Sequence, residues 1–279
     1  VRAAFVFAVI ACCLSLLDQP SRAATEIPCD YRAGMIWMQV RATGQARPLN
    51  FLLDSGAGSS VLDVACARGL GLKLGRAEAV QGVGGRCTAY RVNGFTAEVG
   101  GLPVAASLLA LDLGSISASC GRAVDALLGL DFFRGRVVQI DYAAGKIRLL
   151  GRDEIPAAGA QILRLTTRHD VLCVRVGVNG STPQWMRLDT GCSSGVEWVA
   201  GRGSAREHAR TSVAAAVGSR RSIEAEVVLG AERLPGVKVG LHDAPIFAGE
   251  SGLLGNGLLS KFRVTVDAAK SRLILSPRD

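Results

Sequence analysis

The sequence predicts an all-β chain built from two similar lobes, and three observations carry that prediction. Most of it runs in short apolar or alternating stretches bounded by Gly, Asn, Asp and Pro, such as Ala97-Glu98-Val99 and Glu224 to Leu229. That is the pattern of strands and turns. A set of features in the first half recurs in the second, in the same order. Between the halves, Arg152 to Gly159 combines Pro156 with small residues and reads as a linker.

At the N-terminus, Arg2 precedes an uncharged, mostly apolar run from Ala3 to Leu17. Pro20 breaks the run, and Ser21-Arg22-Ala23 supplies small residues for cleavage after Ala23 or Ala24. Residues 1–23 thus read as a signal peptide. As an uncleaved anchor the run is short for a hydrocarbon core of about 30 Å. The expectation is export to a periplasm or beyond, with no stable membrane insertion after cleavage. The Arg- and Ala-rich usage suggests a bacterial source. The first lobe is expected over 24–151, the linker over 152–159 and the second lobe over 160–279.

Each lobe opens on a β-hairpin. In the first, Ile36 to Val40 leads through Thr43-Gly44 to Phe51-Leu52-Leu53-Asp54-Ser55-Gly56-Ala57. In the second, Val171 to Val176 leads through Asn179-Gly180 to Trp185-Met186-Arg187-Leu188-Asp189-Thr190-Gly191-Cys192. After the first acidic triplet, Val61 to Arg68 reads as a short helix ending near Gly69. Gly82-Val83-Gly84-Gly85 has the glycine content of a mobile hairpin tip and is the candidate flap. Ala214 to Arg221 holds the corresponding place in the second half.

The halves then match again. Leu127-Leu128-Gly129 runs to Asp141, and Leu253-Leu254-Gly255 runs to Asp267, over the same twelve-residue step. A turn and a last strand follow each, Lys146 to Leu150 and Ser271 to Leu275.

With 49% hydrophobic and 20% charged residues, the 279-residue chain can bury a sizeable core, so bulk disorder is excluded. Its net charge of +8 is scattered, densest at Arg220-Arg221, and shows no basic stripe of the kind nucleic acid requires. His169, His208 and His242 lack metal-ligand spacing, so no metal and no cofactor is expected. Of eight cysteines, six lie beyond the signal: Cys29, Cys66, Cys87, Cys120, Cys173 and Cys192. In an exported chain these suggest disulfides, with about 15 possible pairings. One expectation joins Cys173 to Cys192, since both sit on the second hairpin.

Two acidic triplets make chemistry if the lobes face each other. Two carboxylates at close quarters share one proton, because both cannot ionise. One then accepts a proton from water while the other donates to a carbonyl oxygen. Gly56 and Gly191 permit tight turns whose N–H groups reach the carboxylates. The hydroxyls of Ser55 and Thr190 can lock the two turns together. Ala57 and Cys192 offer no hydroxyl to hold an ionised carboxylate, which predicts a weakly acidic to neutral optimum. Asp131, Asp141 and Asp267 read as cap or turn residues.

Phe51 to Leu62 (FLLDSGAGSSVL) and Ala126 to Phe133 (ALLGLDFF) resemble the retropepsin-like aspartic peptidases over residues 35–150 and, more loosely, 171–275. The resemblance implies a barrel-like lobe in each half, a flap over a cleft, an extended peptide or protein as substrate, and Asp54 and Asp189 as the catalytic pair. Both copies lie in one chain, so a monomer suffices. The second half departs from the pattern at Cys192, Gly195, Glu197 and Asn256-Gly257. If that drift misaligns Asp189, the chain binds peptide without cutting it. A third reading rests on Gly191-Cys192-Ser193-Ser194-Gly195. It fits a serine nucleophile elbow at Ser193 only if a helix follows and a late histidine such as His242 serves it.

Overall fold

In a computed structural model, the described residues are 25–82, 85–104, 107–151, 159–200 and 221–278. The signal reading (1–23) and nearly all of the linker, 152–158, lie outside them. So do flap residues Val83 and Gly84 and all but the last residue of the second-half flap candidate.

The described chain is mostly β, in three sheets. Each lobe has a sheet of its own in which the same four strands recur. In the first lobe, Met35–Ala42 and Leu49–Leu53 form the opening hairpin. Leu49–Leu53 lies parallel to Ala126–Leu128, with Leu53 opposite Leu128. In the second lobe, Val171–Val178 pairs with Gln184–Asp189. Gln184–Asp189 lies parallel to Gly252–Gly255, with Asp189 opposite Gly255. The next strands, Val61–Asp63 and Val196–Val199, pair antiparallel to those same partners. In the loop of the second hairpin, Asn179 and Gly180 take positive φ at the centre of a primed β-turn closed by Ser181 N donating to Val178 O at 2.9 Å.

The apolar runs before each triplet are strands because their neighbours bury them on both faces. Phe51, Leu52, Leu53, Met186 and Leu188 are all essentially inaccessible. Strands buried on both faces read as continuous apolar runs rather than as alternation.

The third sheet belongs to both halves. Its order is Thr25–Pro28, Lys146–Leu150, Val137–Asp141, Arg263–Asp267, Arg272–Ser276, Gln161–Arg164. At its centre, Val137 faces Asp267 and Ile140 faces Val264 in an antiparallel pair. The equal twelve-residue steps therefore deliver two matching hairpins that meet about a pseudo-two-fold axis. Each closing hairpin was expected within its own lobe; the structure merges the two into one shared base.

The expected helix from Val61 begins three residues late. Val61–Asp63 is a strand, and the helix spans Val64–Gly69. Asp63 caps it by accepting from Cys66 N at 3.0 Å, as an N-cap carboxylate does. Strand pairing with Ala126 and Leu127 claims the β-branched start of the run before helix propensity can act.

The six cysteines beyond the signal are all free thiols, so the expected Cys173–Cys192 bridge does not form. Cys173 lies mid-strand opposite Arg187. Cys192 lies beyond the end of that partner strand, with Sγ 3.0 Å from Ser194 Oγ. Sharing a hairpin does not bring two side chains together when one sits on the ladder and the other past its end.

Candidate active site

The two acidic turns meet between the lobes and are tied by reciprocal bonds. Ser55 Oγ donates to Leu188 O at 2.8 Å, and Thr190 Oγ1 donates to Leu53 O at 2.9 Å. Each hydroxyl also accepts from the opposite turn: Ser55 N to Thr190 Oγ1 at 2.9 Å, Thr190 N to Ser55 Oγ at 3.1 Å. Both side chains are fully buried, and among the described residues these four bonds satisfy both hydroxyls. The cross-link expected of Ser55 and Thr190 is present.

The glycines set the carboxylate spacing. A Cβ on Gly56 would stand 2.5 Å from Asp189 Cγ, and one on Gly191 would stand 2.5 Å from Asp54 Cγ. Each carboxyl thus packs on the bare Cα of the opposite turn, which leaves no room for a side chain. In this arrangement the carboxyls of Asp54 and Asp189 lie close enough for each to act on the other's ionisation. One chain supplies both.

The two acids are not equivalent. Asp54 Oδ1 accepts from Gly56 N and Ala57 N, both at 3.0 Å. Asp189 Oδ1 accepts from Gly191 N at 2.9 Å, while Cys192 N donates to the Asp189 backbone carbonyl instead. Burial pushes Asp54 up, and its two backbone donors pull back against that. Burial pushes Asp189 well up, and the charge of Asp54 adds to it. Asp54 thus has two backbone donors to its carboxylate where Asp189 has one, and the pair titrates as a unit. The Cys192 thiol beside them is pushed up to about 12 by burial and then by Asp189, so it stays neutral.

The Leu-Leu-Gly segments brace the turns from below. Asp54 N donates to Leu128 O at 2.9 Å; Leu130 N and Asn256 N donate to Ala57 O and Cys192 O, both at 2.8 Å. A Cβ on Gly129 would strike the Ser59 carbonyl, and one on Gly255 that of Ser194. Gly129→Ala and Gly255→Ala are each expected to cost about 1–3 kcal/mol, since only backbone movement relieves the clash. Urea unfolding of the two variants checks this.

The second-half departures are compensated pairs. In the first lobe, Asp131 Oδ1 accepts from Ser60 N at 2.9 Å and Ser60 Oγ at 2.7 Å. Asp131, read as a cap or turn residue, thus braces the loop. In the second lobe both members are glycine, and a Cβ on Gly257 would stand 2.7 Å from Gly195 N. A polar brace is replaced by direct backbone contact. Glu197, standing where the first lobe has Leu62, is buried and meets His242 Nε2 at 2.5 Å. The room for its carboxylate comes from Gly240, where any Cβ would collide with it.

Asn256 stood among the second half's departures from the pattern, and the structure makes it a hub. It is fully buried. Its Nδ2 donates to Gly34 O at 2.9 Å and Thr190 O at 2.6 Å, and its Oδ1 accepts from Tyr142 OH at 2.9 Å. Arg187 and Glu250 were not among the residues singled out from the sequence. Arg187, two residues before Asp189, is buried. Its Nε and Nη2 donate to Glu250 at 2.8 and 2.5 Å, and its Nη1 reaches across to Gly56 O at 2.8 Å. Its only signal was a charge in an apolar run where the first half has Leu52.

Of the flap candidates, Gly82 and Gly85 pair with each other at the end of the hairpin Ala77–Gly82 and Gly85–Asn93. Ser193 is exposed and is followed by the strand Val196–Val199, not by a helix. The nucleophile elbow is thus without the helix it requires, and His242 is engaged by Glu197.

Residues 38–132 match the family model described as aspartyl protease. That segment runs from the first strand of the opening hairpin, through Asp54, past Leu127-Leu128-Gly129. No curated protein sequence matches the chain. Among solved structures, the chain is similar to an aspartic proteinase from Irpex lacteus. The two are 12% identical with a TM-score of 0.58, over 92% of this chain and 98% of that one. The fold of this chain is that of an aspartic proteinase, and the family match lies within its first lobe.

Proposed function

We propose, from the aspartyl-protease match and the aspartic-proteinase fold, that the chain is an aspartic endopeptidase with Asp54 and Asp189 as its catalytic pair. The observation that carries the reading is the reciprocal packing of each carboxyl on the opposite glycine, a spacing that favours one proton shared by the pair.

The anionic Asp54 accepts a proton from water as the water oxygen forms its bond to the peptide carbon. Asp189 gives its proton to the carbonyl oxygen, producing a neutral tetrahedral diol. The proton taken up by Asp54 then passes to the amide nitrogen, the C–N bond breaks, and Asp189 recovers a proton from the diol. The substrate is an extended stretch of peptide or protein lying between the lobes beneath the hairpin Ala77–Asn93. One chain completes the site, so the active species is a monomer. Export on residues 1–23 places it in the periplasm or outside the cell. The peptide-binding reading needs a misaligned Asp189, and its bonds to Gly191 and Thr190's lock to Leu53 supply no misalignment.

The test is digestion of an unfolded protein by the purified mature chain, with and without a pepstatin-type inhibitor. Inhibitor-sensitive cleavage within the substrate is expected, and an inert chain overturns the proposal. The pH profile should be a bell. Its rising limb follows ionisation of Asp54, raised above the ordinary 3.8. Its falling limb follows loss of the proton that burial holds on Asp189. The maximum therefore lies between weakly acidic and neutral pH, and a peak near pH 2 contradicts the assignment.

A further inference from the structure

Arg187 shares a strand face with Asp189, because side chains two apart on a strand point the same way. In the first lobe that place is taken by Leu52, packed in one apolar cluster with Val124. The second lobe has replaced the corresponding pair by Arg187 and Glu250, joined by a two-pronged ion pair with both side chains buried. Phe247 covers the guanidinium, with its ring centroid 3.5 Å from Arg187 Cζ. Burying an ion pair is no gain in stability over an apolar pair of similar size, and the first lobe shows that the fold accepts the apolar solution. The third prong explains the difference. Arg187 Nη1 leaves its own lobe and donates to Gly56 O, the carbonyl of the turn whose N–H groups hold Asp54.

We propose that Arg187 is a positioning residue for the carboxylate pair: it clasps the first lobe's turn through Gly56 and sets, by its fixed charge, the pH range over which the pair holds a single proton. The inference rests on the peptidase reading for its kinetic consequences but not for its electrostatic ones. The ionisable groups facing Arg187 are Glu250 from the 243–251 segment, Cys173 from the adjoining strand, and Asp54 and Asp189 themselves. Cys173 is pushed up to about 11 by burial and is neutral. Cys192, beside Asp189, is neutral too. Arg168 lies further out and acts on Cys173. Glu250 takes the two guanidinium nitrogens not used at Gly56. The charge of Arg187 favours the ionised form of both aspartates.

Three variants separate charge from clasp. Arg187→Leu with Glu250→Val copies the first lobe's apolar pair and should move both limbs of the pH–rate profile up by about one unit. Glu250→Gln leaves the cation unneutralised and should move both limbs down. Arg187→Lys keeps the charge but loses the fork, so the limbs stay in place while kcat falls and KM holds. Carboxyl ionisation is followed in parallel by ¹³C NMR of aspartate-labelled chain, which needs no turnover. If the carboxyl titrations move as described in a chain that cuts nothing, the inference stands and the peptidase reading falls. If the wild type cuts and neither limb moves in the double variant or in Glu250→Gln, Arg187 is structural and the proposal is overturned. Should the double variant fail to fold, the direction of the Glu250→Gln shift decides alone.

Discussion

Asp54→Asn and Asp189→Asn should each lower cleavage by about 10⁴-fold, because one substitution removes both the base and the acid from a pair that works only by sharing a proton. The fold should survive. An amide at 54 still accepts from Gly56 N and Ala57 N and can donate to Asp189, so no buried polar group is orphaned. Stability should in fact rise. Both carboxyls have folded-state values raised by burial. A raised acid contributes stability below its unfolded value of 3.8 and loses it as pH climbs through the folded value. The asparagine variants lack that loss. Their melting temperature should match the wild type below pH 3.8 and exceed it at neutral pH. Inactive variants that are also less stable at neutral pH would mean the carboxyls hold the fold together. Full activity in either variant would remove the catalytic assignment.

What the sequence made legible follows from how local each feature is. The pairs Ser55/Thr190 and Gly56/Gly191 repeat within short motifs, and their function depends only on two copies meeting. The duplication itself promised that meeting. Arg187 and Glu250 could not be paired by eye, because 63 residues separate them and nothing in the first half corresponds to an ion pair there. The substitutions at Gly195 and Gly257 looked like decay when read singly, since the contact that couples them exists only in three dimensions. The shared base sheet was missed for a related reason. Equal spacing from Gly129 to Asp141 and from Gly255 to Asp267 shows that two hairpins match, not that they pair with each other. The helix at Val64–Gly69 was placed early because the competing strand partner, Ala126-Leu127, is remote in sequence.

Asn256→Leu restores the residue found at Leu130 in the first lobe and should be among the most destabilising single changes in the chain. By size the substitution is conservative, so the cost is electrostatic. Leucine would leave Gly34 O, Thr190 O and the Tyr142 hydroxyl without their buried partner. At about 1–3 kcal/mol for each of the three orphaned groups, the loss is about 3–9 kcal/mol, a large share of the roughly 5–15 kcal/mol that holds a domain folded. The damage should also be directional. Gly34 belongs to the first lobe, and its bare Cα sits against Ser193 of the second lobe's turn. Thr190 carries the hydroxyl that reaches Leu53. Loss of Asn256 therefore loosens the second turn against the first before either core melts. Activity should fall further than the population of folded protein does, under conditions where circular dichroism still reports native strand content. Asn256→Asp separates the two contributions: it keeps the acceptor for Tyr142 but has no donor for Gly34 O and Thr190 O. Equal stability for wild type and Asn256→Leu in urea titrations would mean that these carbonyls find other donors, and Asn256 would then be no hub.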